Sequence, residues 1–261
     1  MFLFKKLFLV ALFCVAAPSL FAQKWMVEKP LEKWSQKEAL EVLNASAWAQ
    51  TYQSIQGAAA AAQSEALRQQ ADNNLRGSER SRTERSGGPP PVIARLHSGL
   101  PIRMALYRLN QIAANFDKMS DEQKLKFNES AKRLLECPSC QDYYVITLTQ
   151  ASNSSGQSVE QAIFEGMTLE EMKTIVTLRN EKGETRELAQ FIAPAKRGDS
   201  AAFFFTRKDD KGNVLFTKDN SDATLMFSPA FSTSSNRFAS VLPRKFDFKL
   251  SRITHNDQVV F

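Results

Sequence analysis

The sequence predicts an α+β fold in which N-terminal helices pack on a mainly antiparallel β-sheet. Two observations support this prediction. Helix start signals and apolar residues at helical spacing fill most of the chain up to about residue 175, whereas alternating strands and glycine-containing turns fill the rest. Because helices and strands are segregated along the chain, we expect the helices on one face of the sheet and the C-terminal strands in a meander.

The first 22 residues have the layout of a cleaved secretory signal. Two lysines precede an uncharged apolar run over 7–17, which is too short to cross a membrane comfortably. We predict cleavage between Ala22 and Gln23, which leaves residues 23–261 as a single mature domain in the periplasm or outside the cell. An uncleaved N-terminal anchor is the alternative.

Helix starts are predicted by three capping boxes. In each, a Ser or Thr is followed three residues later by a Glu or Gln, so that both side chains satisfy backbone groups of the first turn. The pairs are Ser35 with Glu38, Ser120 with Gln123, and Thr168 with Glu171. A further helix is predicted from Pro101, which suits a first turn, over apolar residues that recur at helical spacing as far as Phe116.

Strands are predicted by alternating or β-branched residues. We expect the segment 47–55 to pair with 92–96 across the intervening loop. The tetrapeptides 180–183 and 209–212 both begin with Asn or Asp and end with Gly, which is typical of a type I turn followed by a left-handed glycine. Other strands are predicted over 143–149, 175–178, 188–192, 203–206, 214–216, 224–227 and 246–253, with a docked last strand at 259–261.

Residues 57–91 have a different composition from the rest. An alanine run is followed by Gln, Arg, Ser and Glu, and the segment closes with Gly-Gly-Pro-Pro-Pro. Such a segment cannot bury enough apolar area to offset the entropy of ordering it. We therefore predict a disordered, low-complexity internal loop, and we favour a solvated linker over a basic tether for a polyanion because acidic residues nearly cancel its arginines.

The charge and the missing motifs exclude several function classes. The chain has 34 Lys and Arg, 28 Asp and Glu, and a net charge of +6, with the basic residues scattered rather than aligned, so we expect no nucleic-acid partner. No phosphate-binding loop, dinucleotide fingerprint or Gly-x-Ser-x-Gly elbow is present, so no cofactor is predicted. After the signal, no apolar stretch is long enough for a transmembrane segment.

Cys137 and Cys140 form the one motif with reactive potential. In an oxidising compartment their default state is a disulfide. A dithiol enzyme lowers the thiol pKa by placing the first cysteine at a helix N-terminus, but here the predicted helix precedes Cys137 and no helical pattern follows. We favour a structural disulfide, and redox catalysis and a metal site remain as alternatives.

Other chemistry-bearing residues have simpler explanations. His97 and His255 are the only histidines, and their spacing from each other is not that of a metal pair. We expect His97 to be partly exposed at a strand end and His255 to lie in a turn. Aspartates near 209 and 219 fit turns rather than a calcium loop. The run Phe203–Phe205 fits a core strand, with the lining of an apolar ligand pocket as the alternative.

Three short elements resemble uncharacterised secreted proteins encoded in acidobacterial genomes. These elements are Trp34-Ser35-x-Lys37-Glu38, Ser46-x-Trp48-Ala49 and Ser98-Gly99-Leu100-Pro101. The resemblance implies export from a bacterial cell, and it implies no known activity, cofactor or catalytic residue.

The sequence thus predicts an exported, non-catalytic α+β domain that binds or assembles in the cell envelope, with an envelope protein or surface as partner. It predicts no catalytic residue, no metal ligand and no cofactor. The first alternative is a thiol-disulfide oxidoreductase that uses Cys137 and Cys140. The second is a binder of an apolar ligand on the Phe-rich sheet.

Overall fold

The computed structural model describes residues 29–54, 91–150, 164, 166–196, 199–217, 219–228, 231, 242–250, 254–255 and 258–259. The predicted signal 1–22, the cleavage site between Ala22 and Gln23, and nearly all of the predicted loop 57–91 lie outside these residues.

Four helices of at least seven residues are present in the described part of the chain. They are α1 (Gln36–Ala45), α2 (Leu100–Ala113), α3 (Asp121–Glu136) and α4 (Leu169–Ile175). All three predicted capping boxes are confirmed, at the starts of α1, α3 and α4. In the first of them Ser35 N–H donates to Glu38 Oε2 at 2.7 Å, and Glu38 N–H donates to Ser35 Oγ at 3.3 Å.

Within the described ranges, eight antiparallel strands form one sheet in the order β1-β2-β3-β6-β5-β4-β7-β8. Strands β1 and β8, at its two edges, have Cα atoms within 8 Å of each other, so the sheet is a nearly closed barrel. The strands are β1 (Ala49–Tyr52), β2 (Val92–Leu96), β3 (Tyr143–Gln150), β4 (Val176–Asn180), β5 (Thr185–Ile192), β6 (Ala201–Thr206), β7 (Asp222–Phe227) and β8 (Lys245–Lys249).

The mixture of helices and antiparallel sheet is as predicted, and the pairing of 47–55 with 92–96 is confirmed by the β1–β2 ladder. The predicted C-terminal meander is too simple. Strands β4, β5 and β6 are successive neighbours, but β6 then pairs with β3, and β7 returns to pair with β4. Because β1, β2 and β3 join the same sheet as the C-terminal strands, most strands have a hydrogen-bonded neighbour on both sides, as in a barrel.

Three predicted strands differ from the structure. The strand predicted over 246–253 ends at Lys249. Of the predicted last strand 259–261, residues 260–261 lie outside the described residues, and Val259 belongs to β10 (Gln258–Val259), which pairs with β9 (Thr254–His255) in a separate two-stranded sheet. The strand predicted over 214–216 is reduced to one isolated bridge between Lys208 and Val214.

The hairpin turns form as predicted, since Gly183 and Gly212 have φ values of +86° and +83°. After the second turn, however, Leu215 and Phe216 become buried at one end of the barrel. Asn180 Nδ2 donates to Leu215 O at 3.2 Å, and Phe216 N–H donates to Tyr144 Oη at 3.2 Å. These side-chain bonds replace a strand ladder, so the segment 207–217 closes this end.

The opposite end of the barrel is filled by aromatic rings. Phe203 lies between Phe191 and Phe227, with ring centroids 5.3 and 6.3 Å away. Phe164 and Phe231 add further ring contacts at 5.5 to 6.3 Å. The end closed by 207–217 also contains aromatic rings, since the rings of Tyr144 and Phe216 are 4.8 Å apart, but it additionally buries the polar groups of Tyr144 and Asn180.

The segments that contain Trp34 and Trp48 both pack near the start of α2 or against it. Arg108 Nε donates to Trp34 O at 2.8 Å, and Leu96 N–H donates to Trp48 O at 2.8 Å. A Cβ atom on Gly99 would overlap Trp48 Cδ1, so a larger residue at this position would force the Trp48 side chain to shift. These elements build a packed joint between α1, β1 and α2.

Candidate functional site

The structure forms a disulfide between Cys137 and Cys140, whose Cα atoms are 5.2 Å apart. Cys137 ends α3 in a left-handed conformation with φ +44°, and its N–H donates to Arg133 O at 3.0 Å. The two cysteines are only 7% and 5% exposed, and they pack on the outer face of the barrel against Val145 and Phe204. We call this feature the disulfide clip.

The surroundings of the disulfide clip are unfavourable for a reactive thiolate. Cys137 lies at the C-terminus of α3, where the helix dipole presents partial negative charge. The expectation that no helix follows was wrong, because Ser139–Asp142 forms one helical turn. That turn is four residues long and contains Cys140. Because both cysteines are buried, neither sulfur is presented to a substrate. Single turns carry no periodicity, which is why the sequence pattern did not reveal it.

The two histidines occupy separate elements. His255 is in β9 and not in the predicted turn, whereas His97 directly follows β2 and is half-buried, as expected. Burial, followed by the nearby positive charges of Arg103 and Arg95, lowers the pKa of His97 to about 4. Within the described ranges, no group of three or more His, Cys, Asp or Glu residues is arranged to hold a metal ion.

The Phe-rich strand divides between two faces, as strand alternation requires. Phe203 and Phe205 are fully buried in the barrel interior, and Phe204 lies on the outer face against the disulfide clip. Asp209 is explained by its turn, because its Oδ1 accepts from Lys211 N–H and Asn213 N–H at 2.9 and 2.8 Å.

Sequence reasoning missed a buried arginine at the start of α2. Arg103 is 6% exposed, and its guanidinium donates to the carbonyls of Leu135 and Ser98. It thereby joins the first turn of α2 to the last turn of α3. Its Nε atom is buried and has no hydrogen-bond partner in the described part of the chain. Apolar periodicity could not identify this residue, because the pattern assigns arginine to the solvent face.

A second partly buried arginine, Arg207, directly follows β6. The guanidinium of Arg207 lies 5.0 Å above the centre of the Tyr144 ring, and its backbone N–H donates to Asp142 O at 2.9 Å. Burial lowers the pKa of both arginines, and the positive charge of Arg207 lowers that of Arg103 further. Tyr144 and Asp142 act in the opposite direction on Arg207.

Among the residues that the structure describes, no helix has the length and apolar character needed to cross a bilayer. Comparison of the chain with protein-family models, with curated proteins and with solved structures finds no match.

Proposed function

We propose that this chain is an exported, non-catalytic α+β domain that binds a partner or assembles in the cell envelope. The observation that supports this proposal most is the disulfide clip. A disulfide persists in the periplasm or outside the cell, and this one is buried between α3 and the outer face of the barrel. It therefore suits a structural role in an exported protein.

A thiol-disulfide oxidoreductase would need different surroundings for its cysteines. Such an enzyme exposes the attacking sulfur and stabilises its thiolate with a helix N-terminus or a neighbouring cation. Here Cys137 follows the C-terminus of α3 and is packed against Val145 and Phe204. The geometry accordingly favours the structural role over catalysis.

Binding of an apolar ligand would need space between the aromatic rings. The rings of Phe164, Phe203, Phe227 and Phe231 instead contact one another at centroid distances of 5.5 to 6.3 Å. These contacts make the Phe-rich strand a part of the core, and we place the binding role on the surface of the domain.

Expression of the full chain in a bacterium tests export. We expect mass spectrometry of the exported fraction to find Gln23 as the first residue and a disulfide between Cys137 and Cys140. Recovery of chains that begin at Met1 in the membrane fraction would contradict export.

A separate assay tests the absence of catalysis. Purified wild type should reduce insulin with dithiothreitol no faster than the double variant Cys137→Ser, Cys140→Ser. Catalysis by the wild type alone would instead support the oxidoreductase.

A further inference from the structure

The N-terminal part of the chain packs on the rest as a separate arm. We call residues 29–54, which contain α1 and β1, the arm, and we call the described residues from 91 onward the body. The apolar side chains of the arm share one hydrophobic cluster with body residues that include Leu96 and Ile102. The buried arm residues are Trp34, Ala39, Val42, Leu43, Trp48 and Ala49. The arm is therefore bound to a surface of the body to which β2 and α2 contribute.

Two arginines of the body bind the arm through hydrogen bonds. Arg108 Nε, on α2, donates to Trp34 O at 2.8 Å. Arg95 Nε, on β2, donates to Leu43 O at 2.7 Å, and its Nη2 donates to Asn44 Oδ1 at 3.0 Å. Because hydrogen bonds weaken steeply away from their preferred distances and angles, these contacts fix the position of α1 on the body.

The strand of the arm lies at an edge of the sheet. Within the described residues β1 forms a ladder with β2 alone, from Ala49 opposite Arg95 to Tyr52 opposite Val92. On its other side β1 faces β8, with which it forms no ladder in the part of the chain that the structure describes. Release of the arm therefore breaks one strand pairing, and the ladders from β2 through β8 stay in place.

The connection between the arm and the body is much longer than the ladder requires. Tyr52 and Val92 lie directly opposite each other, but residues 53–91, which are 39 residues, separate them in the sequence. A hairpin joins such a pair with about 2–5 residues. For the solvated linker predicted from the sequence, a flexible chain of this length has a root-mean-square span of about 35 Å. That span exceeds the radius of gyration of about 18 Å expected for the mature domain, so an arm can reach the body of a second copy.

The same linker decides which body an arm occupies. A flexible tether holds the arm near its own body at an effective concentration in the millimolar range. In dilute solution a released arm consequently returns to its own body. When many copies are crowded together, or when the linker is cut, the arms of other copies compete for the same contacts.

We propose that the arm exchanges between copies, so that the body of one chain binds the arm of another. This inference names a second copy as the partner in the assembly role proposed above, and it rests on that role. An identical chain supplies both tryptophans at the correct spacing, the carbonyl groups that Arg95 and Arg108 bind, and the register of β1. It therefore makes every contact that the arm makes in its own chain, which a different protein would have to reproduce.

Disulfide trapping between two full-length variants tests the exchange. One variant carries Thr51→Cys in the arm and the other carries Ile93→Cys in the body, at positions directly opposite each other in the ladder. The two are mixed and treated with oxidised glutathione, and mass spectrometry of peptides identifies the products. A 51–93 disulfide requires the arm of one chain on the body of the other. We expect this disulfide to accumulate with time and to increase with protein concentration.

A matched control measures chance encounters between chains. Leu188→Cys places a thiol at another buried position, on β5, with which the arm does not pair. A mixture of Thr51→Cys with Leu188→Cys should give much less 51–188 disulfide. A 51–93 disulfide no more abundant than the 51–188 disulfide would overturn the proposal. If Ile93→Cys does not fold, the adjacent pair Tyr52→Cys and Val92→Cys decides by the same criterion.

Cutting the linker gives a second test. At about 100 µM protein and an effective concentration of about 1 mM, a released arm returns to its own body about ten times as often as it binds another. Limited trypsin digestion within 57–91 removes this advantage, so the 51–93 disulfide should form about tenfold faster. An unchanged rate would show that the disulfide does not arise from released arms, and it would overturn the exchange. Failure of these tests leaves the results of the export and insulin assays unaffected, so it is distinguishable from failure of the proposed function.

Discussion

Removal of the disulfide clip should cost the protein a small and calculable part of its stability. The bond closes a loop over 137–140, with a sequence separation of 3. The chain-entropy relation for so short a loop gives about 2 kcal/mol. The double variant Cys137→Ser, Cys140→Ser should lose about this amount plus the cost of placing two hydroxyl groups against Val145 and Phe204. The fold should persist, because the barrel ladders do not involve the clip.

Urea unfolding followed by circular dichroism measures this loss. The matched controls are the pair Cys137→Ala, Cys140→Ala, which adds no hydroxyl groups, and the wild type reduced with dithiothreitol. The alanine pair should be less destabilised than the serine pair. A loss above about 5 kcal/mol, or no cooperative transition, would show that folding depends on the bond. A loss below about 0.5 kcal/mol would refute the stabilising role of the clip.

Three further predictions concern the joint and the loop. Gly99→Ala should lower the free energy of unfolding by about 2 kcal/mol, because its Cβ would overlap Trp48; a loss below about 0.5 kcal/mol in urea contradicts this. Lys29 and the Ser35 backbone lower the pKa of Glu38 from 4.5 to about 2. Glu38→Gln should therefore cost about 1 kcal/mol above pH 5, and the difference from wild type should vanish as the pH falls towards 2; a pH-independent difference contradicts it. Trypsin should cut within 57–91, and the fragments should co-elute on gel filtration, because β1 pairs with β2 and Arg95 Nε donates to Leu43 O at 2.7 Å; separation without denaturant would indicate independent domains.

Local features of the fold could be predicted from the sequence. The capping boxes at Ser35, Ser120 and Thr168 each depend on residues three positions apart, so a short window contains their whole cause. The same holds for Gly183 and Gly212, which the turn chemistry places at positive φ. The disulfide between Cys137 and Cys140 could also be predicted, because the two residues are close in sequence.

Features that depend on distant residues were not predictable in this way. The pairing of β6 with β3 joins residues that are far apart in the chain, such as Tyr143 and Thr206, so no short window of sequence contains its cause. Residues 214–216 have a strand pattern, but Tyr144 and Asn180 bind the backbone of Leu215 and Phe216 and turn them inward. The burial of Arg103 was not predicted, because its carbonyl partners, Leu135 O and Ser98 O, lie outside its own helix.

The reactivity of Cys137 after reduction tests the central claim of a structural disulfide most directly. The measurement is the rate of iodoacetamide alkylation at pH 6.5 in the reduced protein, compared with a free cysteine peptide and with Cys140→Ser as the single-thiol form. Because Cys137 is buried at the C-terminus of α3, we predict a rate no higher than that of the peptide. A rate about tenfold higher would indicate a stabilised thiolate, and it would contradict the non-catalytic account and favour the oxidoreductase.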